Sequence, residues 1–129
     1  MVYVVDTHAF VWFIEASSRL SQNALTALES PDSEIVVPTI DLAEIKFLFA
    51  RKRIFVDLQT VINRISISEN CTVYPLDEAV IERLATDLNI HDGLIVATAL
   101  VYRDLLGQSV AVITKDGEIK QSGLIETLW

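Results

Sequence analysis

Four short apolar segments, separated by longer stretches with helical periodicity, restrict most strongly the fold that this chain can adopt. The segments are VYVV (2–5), EIVV (34–37), CTVY (71–74) and VAVI (110–113). They are rich in β-branched residues and do not alternate cleanly between apolar and polar positions, which is typical of strands buried on both faces of a sheet. We therefore predict a β-strand over each of these segments.

Between the predicted strands, apolar residues recur at the three- and four-residue spacing of amphipathic helices. These patterns cover residues 21–29, 41–51, 57–67, 77–88 and about 92–105. Strands that alternate with helices predict an α/β fold with a parallel sheet. Because the chain has 129 residues and no internal repeat, low-complexity stretch or linker, we expect one domain over 1–129.

Composition indicates in which cellular compartment the protein is expected. The mean hydropathy of +0.40 is high, but no apolar run approaches the roughly 20 residues of a membrane span. The start, MVYVVDTH, lacks the features of a signal peptide. A single cysteine, Cys71, can form no internal disulfide and belongs to no cluster with zinc spacing. These features predict a cytoplasmic protein without a membrane contact, whose apolar surplus is buried in the sheet or against another chain.

The charge of the chain bears on its partners. The formal net charge is −8, from 18 acidic residues against 10 Lys and Arg. A uniformly acidic surface repels nucleic acid, which argues against binding through a broad basic patch. Some acids could instead hold divalent cations, and an acidic surface also suits a basic protein partner. The one basic cluster, RKR at 51–53, could contact phosphates or could simply be favoured by the dipole at a helix C-terminus, and neither interpretation is preferred.

Four acidic residues are expected at one edge of the predicted sheet. Asp6 directly follows the first strand, and Asp116 follows the last apolar segment by three residues. Glu44 lies in the first turn of the helix predicted after the second strand, and Asp92 starts the long apolar helix, which must begin at the same edge to feed the strand at 110. Ligands of open α/β sheets bind outside the carboxyl ends of the strands, which is where these acids would meet.

Each acid also has a purely structural explanation. In DLAE (41–44), Asp41 and Glu44 form a plausible capping box, and for Glu44 alone this explanation is favoured about two to one. Asp92 could be a helix-start acid that the dipole favours by under about 1 kcal/mol. The combination is harder to dismiss, because carboxylates that crowd together resist ionising unless a cation lies among them. Oxygen ligands without cysteine favour Mg²⁺ or Mn²⁺, ions that support hydrolysis of phosphodiesters.

Four segments carry a resemblance to a known family: VVDTHAFVWF, PTIDLAEIKFL, IHDGLIVATAL and VITKDGEI. Together they resemble the PIN domain, and in particular the toxin nucleases of VapBC toxin–antitoxin pairs. The resemblance covers nearly the whole chain, and its specificity lies in the order and spacing of motifs that are weak alone. It implies a three-layer α/β/α sandwich with a central parallel sheet of four to five strands. It also implies a Mg²⁺- or Mn²⁺-dependent endoribonuclease, an RNA substrate, a cognate antitoxin and a homodimer.

The resemblance also assigns residues. Four positions match the catalytic, metal-binding acids of the family: Asp6, Glu44, Asp92 and Asp116. Thr114, in TKD, matches the small hydroxyl residue that often precedes the last acid. Family members often carry an Arg directly after the third acid, whereas this chain has Gly93, so no Arg at this position can hold RNA or order the acids.

Other interpretations stay open. A PIN-like protein without nuclease activity would act as an RNA- or protein-binding regulatory module, although such a scaffold has no need to concentrate repulsive charge. A haloacid-dehalogenase-like phosphatase would carry a second Asp where this chain has His8, and Lys115 is only a loose match to the lysine of a receiver domain. For His8, a structural role is favoured about two to one over a place in the site, and we interpret His91 as a turn or cap residue. A bound cation would make a histidine base unnecessary.

Overall fold

Five parallel strands form one sheet at the centre of the structure, a computed structural model that describes residues 1–129. The strands are β1 (Val2–Val5), β2 (Glu34–Pro38), β3 (Cys71–Tyr74), β4 (Val110–Ile113) and β5 (Glu126–Leu128). Their order across the sheet is β3-β2-β1-β4-β5, and every neighbouring pair is parallel. The predicted parallel sheet of four to five strands is confirmed, and β5 is a strand that none of the apolar segments indicated.

Seven helices connect or follow the strands. They are α1 (Thr7–Ile14), α2 (Gln22–Glu29), α3 (Thr39–Ala50), α4 (Leu58–Ile67), α5 (Glu78–Glu82), α6 (Ile90–Asp104) and α7 (Gly117–Ser122). The apolar run at about 92–105 is helix α6, as predicted. The pattern at 77–88 yields only the five residues of α5, because the chain turns after Arg83 to enter α6. None of the helices combines the length and apolar character needed to cross a membrane.

The helices cover both faces of the sheet and complete three layers. Helices α1 to α4 pack on one face, against side chains such as Val5 and Val37. Helices α6 and α7 pack on the other face, where Val4 and Val36 point, and α5 packs against α6. Neighbouring residues of β1, β2 and β4 therefore enter different cores, which explains why these segments do not alternate with polar residues. The prediction of burial on both faces is wrong for β3, which lies at an edge of the sheet and exposes Thr72 and Val73.

The connections place β1 at the point where the chain changes direction across the sheet. From β1 the chain continues to β2 and β3 on one side, and it later returns to β4 and β5 on the other side. Open α/β sheets bind ligands in the crevice beyond the carboxyl ends of strands that diverge in this way. Asp6 follows β1 directly and Thr114 follows β4, and the Asp6 N–H donates to the carbonyl of Ile113 at 3.1 Å. We call this end of the sheet the carboxyl edge.

Candidate active site

A cleft of about 530 Å³ opens at the carboxyl edge of the sheet. The structure brings all four predicted acids to its wall: Asp6, Glu44, Asp92 and Asp116. We call this cavity the acidic cleft. Its lining is mostly polar, and Thr114 is buried at only 3% exposure beside it. Side chains that are far apart in sequence therefore share one solvent-accessible space.

Asp6 connects the end of β1 to the start of α1 and serves as the N-cap of that helix. Its Oδ1 accepts a hydrogen bond from the Ala9 N–H at 2.8 Å. Its Oδ2 accepts from the hydroxyl of Thr114, whose Oγ1 in turn accepts from the Asp116 N–H at 3.0 Å. One buried hydroxyl therefore links the first and the last of the predicted acids. Capping of α1 accounts for only one of the two carboxylate oxygens of Asp6.

Asn89, which the sequence analysis did not identify, caps α6 and orients Asp92. The Asn89 Oδ1 accepts from the Asp92 N–H at 2.9 Å, and the Asn89 Nδ2 donates to Asp92 Oδ2 at 2.6 Å. This reciprocal arrangement is analogous to a capping box. The spacing N-x-x-D before an apolar run was the signal that could have revealed it. Asp92 is consequently held in one orientation at the wall of the acidic cleft.

The capping box predicted at 41–44 is wrong. Helix α3 begins at Thr39 with Pro38 as its N-cap, and no side chain accepts a capping hydrogen bond there. Proline at the end of β2 has a φ of −61° and an extended ψ, so the helix can start three residues earlier than an N-cap at Asp41 indicated. Glu44 therefore lies in the second turn of α3, not in the first, and the capping explanation for Glu44 no longer applies.

The side chains of Asp41 and Glu44 instead meet the first residue of α1. The hydroxyl of Thr7 lies 2.6 Å from Glu44 Oε1 and 3.0 Å from Asp41 Oδ1. Thr7 is 2% exposed and Asp41 is fully buried, whereas Glu44 reaches the acidic cleft. Asp41 was considered only as a capping residue in the sequence, and nothing in the pattern indicated that it would be buried beside the site.

A further acid, Glu118, joins Asp92 and Asp116. One carboxylate oxygen of each of these three residues lies within 4.8 Å of the other two. Asp116 caps α7 by accepting from the Glu118 N–H at 2.7 Å, which fixes the Asp116 side chain against the backbone of residue 118. Glu118 was missed in the sequence, although D-x-E at a helix start was a visible signal. Three carboxylate oxygens at this spacing form a set that suits a hard divalent cation.

Burial and mutual repulsion raise the pKa of several of these acids. Desolvation raises the pKa of Asp6, opposed by the hydrogen bond from Thr114. Desolvation also raises the pKa of Asp92, and repulsion from Asp116 and Glu118 adds to it against the hydrogen bond from Asn89. Ionising these groups together is therefore unfavourable unless a cation offsets the charge.

Asp41→Asn is expected to increase the stability of the cation-free protein at neutral and alkaline pH. Burial raises the pKa of Asp41 well above its ordinary value of 3.8, so the folded state holds this proton more tightly than the unfolded chain. This contribution to stability is fully present below the pKa that Asp41 has in the unfolded chain. It is lost as the pH rises through the pKa that Asp41 has in the folded protein. Asn has no charge to bury and should not show this loss.

Urea midpoints in EDTA, measured for both proteins from about pH 4 to about pH 8, check this prediction. The midpoint of the wild type should fall relative to that of Asp41→Asn as the pH rises. A constant difference between the two proteins across this range would contradict it.

The histidines and the basic side chains lie at different distances from the acidic cleft. His91 Nδ1 lies 3.7 Å from Glu44 Oε2 at the rim, and exposed His8 lies against Trp12 with 5.7 Å between ring centroids. Lys115 is the one Lys or Arg that lines the cleft. The basic cluster at 51–53 lies at the far end of α3, where Arg51 is the C-cap, so the structure does not bring this cluster to the acids.

Comparison with known proteins gives two kinds of likeness. The family model of the PIN domain matches residues 3–123, whereas a comparison with curated proteins found no match. Among solved structures, VapBC2 from Rickettsia felis bound to a DNA fragment from its promoter has a TM-score of 0.68 at 15% identity, covering 99% of this chain and 98% of that chain. VapBC-1 from nontypeable Haemophilus influenzae has a TM-score of 0.65 at 18% identity, covering 99% and 97%.

At this level of identity, the two structures show that the fold is shared. The family model adds a match at the level of sequence, and it extends from β1 to the end of α7. The chain belongs to the PIN domain family.

Proposed function

We propose that this protein is a metal-dependent endoribonuclease and the toxin of a VapBC-type toxin–antitoxin pair, with one nuclease domain over 1–129. The observation that carries the proposal is the convergence of four acids on one polar cleft at the carboxyl edge: Asp6, Glu44, Asp92 and Asp116. Membership of the PIN family and the fold shared with two VapBC structures support it. The proposed substrate is RNA and the proposed reaction is hydrolysis of its phosphodiester bonds.

The donor set fits Mg²⁺ or Mn²⁺. The residues proposed to hold the ion are Asp6, Glu44, Asp92 and Asp116, and Glu118 extends the set beside Asp92 and Asp116. All of these donors are carboxylate oxygens, which these hard cations prefer. When bound, such an ion supplies activation of water and neutralisation of charge on the phosphate.

Other residues of the chain orient these acids and meet the substrate. Thr114 holds Asp6 through its hydroxyl and accepts from the backbone of Asp116, while Asn89 fixes Asp92. Lys115 brings a positive charge to the cleft and is proposed to bind a phosphate of the RNA. The net charge of −8 is compatible with binding of one RNA strand in this cleft, because the cation and Lys115 would offset the acids there and no broad basic surface is required.

A cognate antitoxin and a second copy of the chain are the proposed protein partners, and the cytoplasm is the proposed location. Exposed aromatic side chains support such contacts, since Phe55 is 92% exposed and Phe47 is 54% exposed. A groove beside Phe55 and Phe49, with Ile14 and Val56 in its lining, offers an apolar surface for a partner segment. The dimer would be contradicted by a molar mass near that of one chain at micromolar concentration.

Incubation of the purified chain with total RNA tests the proposed activity. The protein should cut RNA in Mg²⁺ or Mn²⁺ and should stop cutting in EDTA. If the chain binds RNA or an antitoxin but leaves the RNA intact with either ion, it acts as a binding module without nuclease activity, and the proposal is wrong.

Thr114→Val is expected to weaken binding of Mn²⁺ and RNA cleavage by about 10- to 100-fold, the usual effect of removing a residue that orients metal ligands. Valine has a similar shape but cannot donate to Asp6 or accept from the N–H of Asp116. Thr114→Ser keeps the hydroxyl and should stay close to the wild type. Calorimetric titration with Mn²⁺ compares the three proteins, and equal affinities for Thr114→Val and Thr114→Ser would contradict the role of the hydroxyl.

A further inference from the structure

Asp41 is a fully buried acid that contacts the same Thr7 hydroxyl as Glu44, one of the proposed metal-binding residues. Its side chain is 0% exposed and does not line the acidic cleft. Oδ1 lies 3.0 Å from the hydroxyl of Thr7, and Oδ2 is buried without any hydrogen-bond partner. Buried carboxyl groups with an unpaired oxygen are unfavourable, so a role beyond stability has to be considered.

The hydroxyl of Thr7 is shared between two carboxyl groups, although it carries a single hydrogen. Its contact with Glu44 Oε1, at 2.6 Å, is shorter than its contact with Asp41 Oδ1, at 3.0 Å. Short O–H···O contacts of this kind are typical of a hydroxyl that donates to an ionised carboxylate. The shorter contact favours donation from Thr7 to Glu44, and the single hydroxyl hydrogen then leaves Asp41 as the donor in the longer contact. This direction requires that Asp41 carries a hydrogen.

A neutral carboxyl at Asp41 also accounts for its second oxygen. An uncharged oxygen without a partner is much less unfavourable in a protein interior than a carboxylate oxygen without one. The same geometry leaves Glu44 with one oxygen fixed by Thr7 and the other, Oε2, pointing towards the rim, where His91 Nδ1 lies 3.7 Å away. Glu44 is thus held by one oxygen and presents the other to the cleft.

We propose that Asp41 is a positioning residue that donates a hydrogen bond to Thr7, so that Thr7 donates to Glu44 and fixes the carboxylate of Glu44 towards the acidic cleft. The proposal goes beyond the four predicted acids and rests on the proposed function only in that Glu44 binds the cation. A merely structural alternative exists, because an acid in the first turn of α3 is favoured by the helix dipole. The two explanations predict different effects of an Asp41 substitution on the position of the Glu44 carboxylate and on the affinity for Mn²⁺.

Four variants of the full chain separate these explanations: Asp41→Leu, Asp41→Asn, Thr7→Val and the double variant Asp41→Leu/Thr7→Val. Affinity for Mn²⁺ by calorimetry is the first measurement. Asp41→Leu and Thr7→Val should each weaken it by about 10- to 100-fold. The double variant should be no weaker than Thr7→Val by more than about two-fold, because Asp41 acts through Thr7. Asp41→Asn, whose amide can donate to Thr7, should recover affinity to within about three-fold of the wild type.

The ¹³C chemical shift of the Glu44 carboxyl in EDTA is the second measurement, and it needs no metal. The resonance should move in Asp41→Leu and Thr7→Val and should return towards the wild-type position in Asp41→Asn. This measurement tests the role of Asp41 separately from the proposed function. A wild type that binds no Mn²⁺ overturns the proposed function, whereas the role of Asp41 is then judged from the chemical shift of Glu44 alone. If Asp41→Leu does not fold, Asp41→Ala takes its place in both measurements.

Three results would overturn the role of Asp41. One is a folded Asp41→Leu variant with an unchanged Glu44 resonance and unchanged Mn²⁺ affinity. Another is a double variant in which the two losses multiply, which would mean that Asp41 and Thr7 act independently. The third is an Asp41→Asn variant that loses as much affinity as Asp41→Leu, because the charge of Asp41 and not its donated hydrogen would then be required.

Discussion

Asp116→Asn is expected to lower RNA cleavage by more than about 100-fold while leaving the fold intact. Asn caps helices about as well as Asp, so the hydrogen bonds from Glu118 and Ile119 at the start of α7 can persist. The substitution removes the charge that the proposed cation requires. Residues that merely orient metal ligands already contribute about 10- to 100-fold, so loss of a ligand should exceed that range. Initial rates of cleavage in Mn²⁺ measure the effect, and circular dichroism checks the fold.

Asp57→Asn is the matched control for this experiment. Asp57 is also a helix N-cap, since its side chain accepts from the Thr60 N–H at 2.8 Å, but it lies outside the acidic cleft. The control should cleave RNA at the rate of the wild type. If Asp116→Asn also retains that rate, Asp116 is only a helix cap and the assignment of the site is wrong.

Gly93→Arg is expected to destabilise the protein by about 1–3 kcal/mol, the usual range for overpacking a filled interior. A Cβ at residue 93 would lie 2.7 Å from Leu84 Cδ1 and 3.1 Å from the carbonyl oxygen of Ala85. The chain between α5 and α6 thus occupies the space that a side chain would need. At roughly 4 °C per kcal/mol for a domain of this size, the melting temperature should fall measurably.

Gly117→Arg provides the comparison, because no atom lies within 4 Å of a Cβ built there and the backbone φ is not positive. It should change the melting temperature much less than Gly93→Arg. An equal effect of the two substitutions would contradict the packing explanation. A small change in the melting temperature of Gly93→Arg would mean that the turn after α5 can move to make room for a side chain. Gly93 would then not be required by the packing of its neighbours.

The strands were predictable because their sequence carries a strong physical constraint. A segment such as VAVI at β4 is buried on both sides, so every residue is apolar and the pattern is unmistakable. The strand β5 lies at an edge of the sheet and has only three partly exposed or exposed residues, ETL, which leave no such pattern. Helix α5 was overestimated because the periodicity of residues 77–88 does not reveal where the chain must turn.

The acids at the carboxyl edge were predictable from topology, because the end of a parallel strand fixes where the next residue lies. Asp6 and Asp116 follow from this rule alone. The burial of Asp41 was not predictable in this way. Capping rules place an Asp just before a helix, but α3 starts earlier, after Pro38, so Asp41 lies within the helix and is buried. For Glu118, the local pattern D-x-E could indicate an acid at a helix start, but its approach to Asp92 depends on how α6 and α7 meet in space, which that pattern does not encode.

Calorimetric titration of the wild type with Mn²⁺, beside the same titration of Asp92→Ala, tests the central claim most directly. Asp92 and Asp116 belong both to the predicted four and to the close group that Glu118 completes, and of these two Asp92 is not a helix N-cap. We predict saturable binding to the wild type, and a large loss of binding in a variant that remains folded. A wild type that shows no heat of binding, together with a more stable Asp92→Ala, would mean that these acids are caps and crowded charges, and would contradict a cation-dependent nuclease.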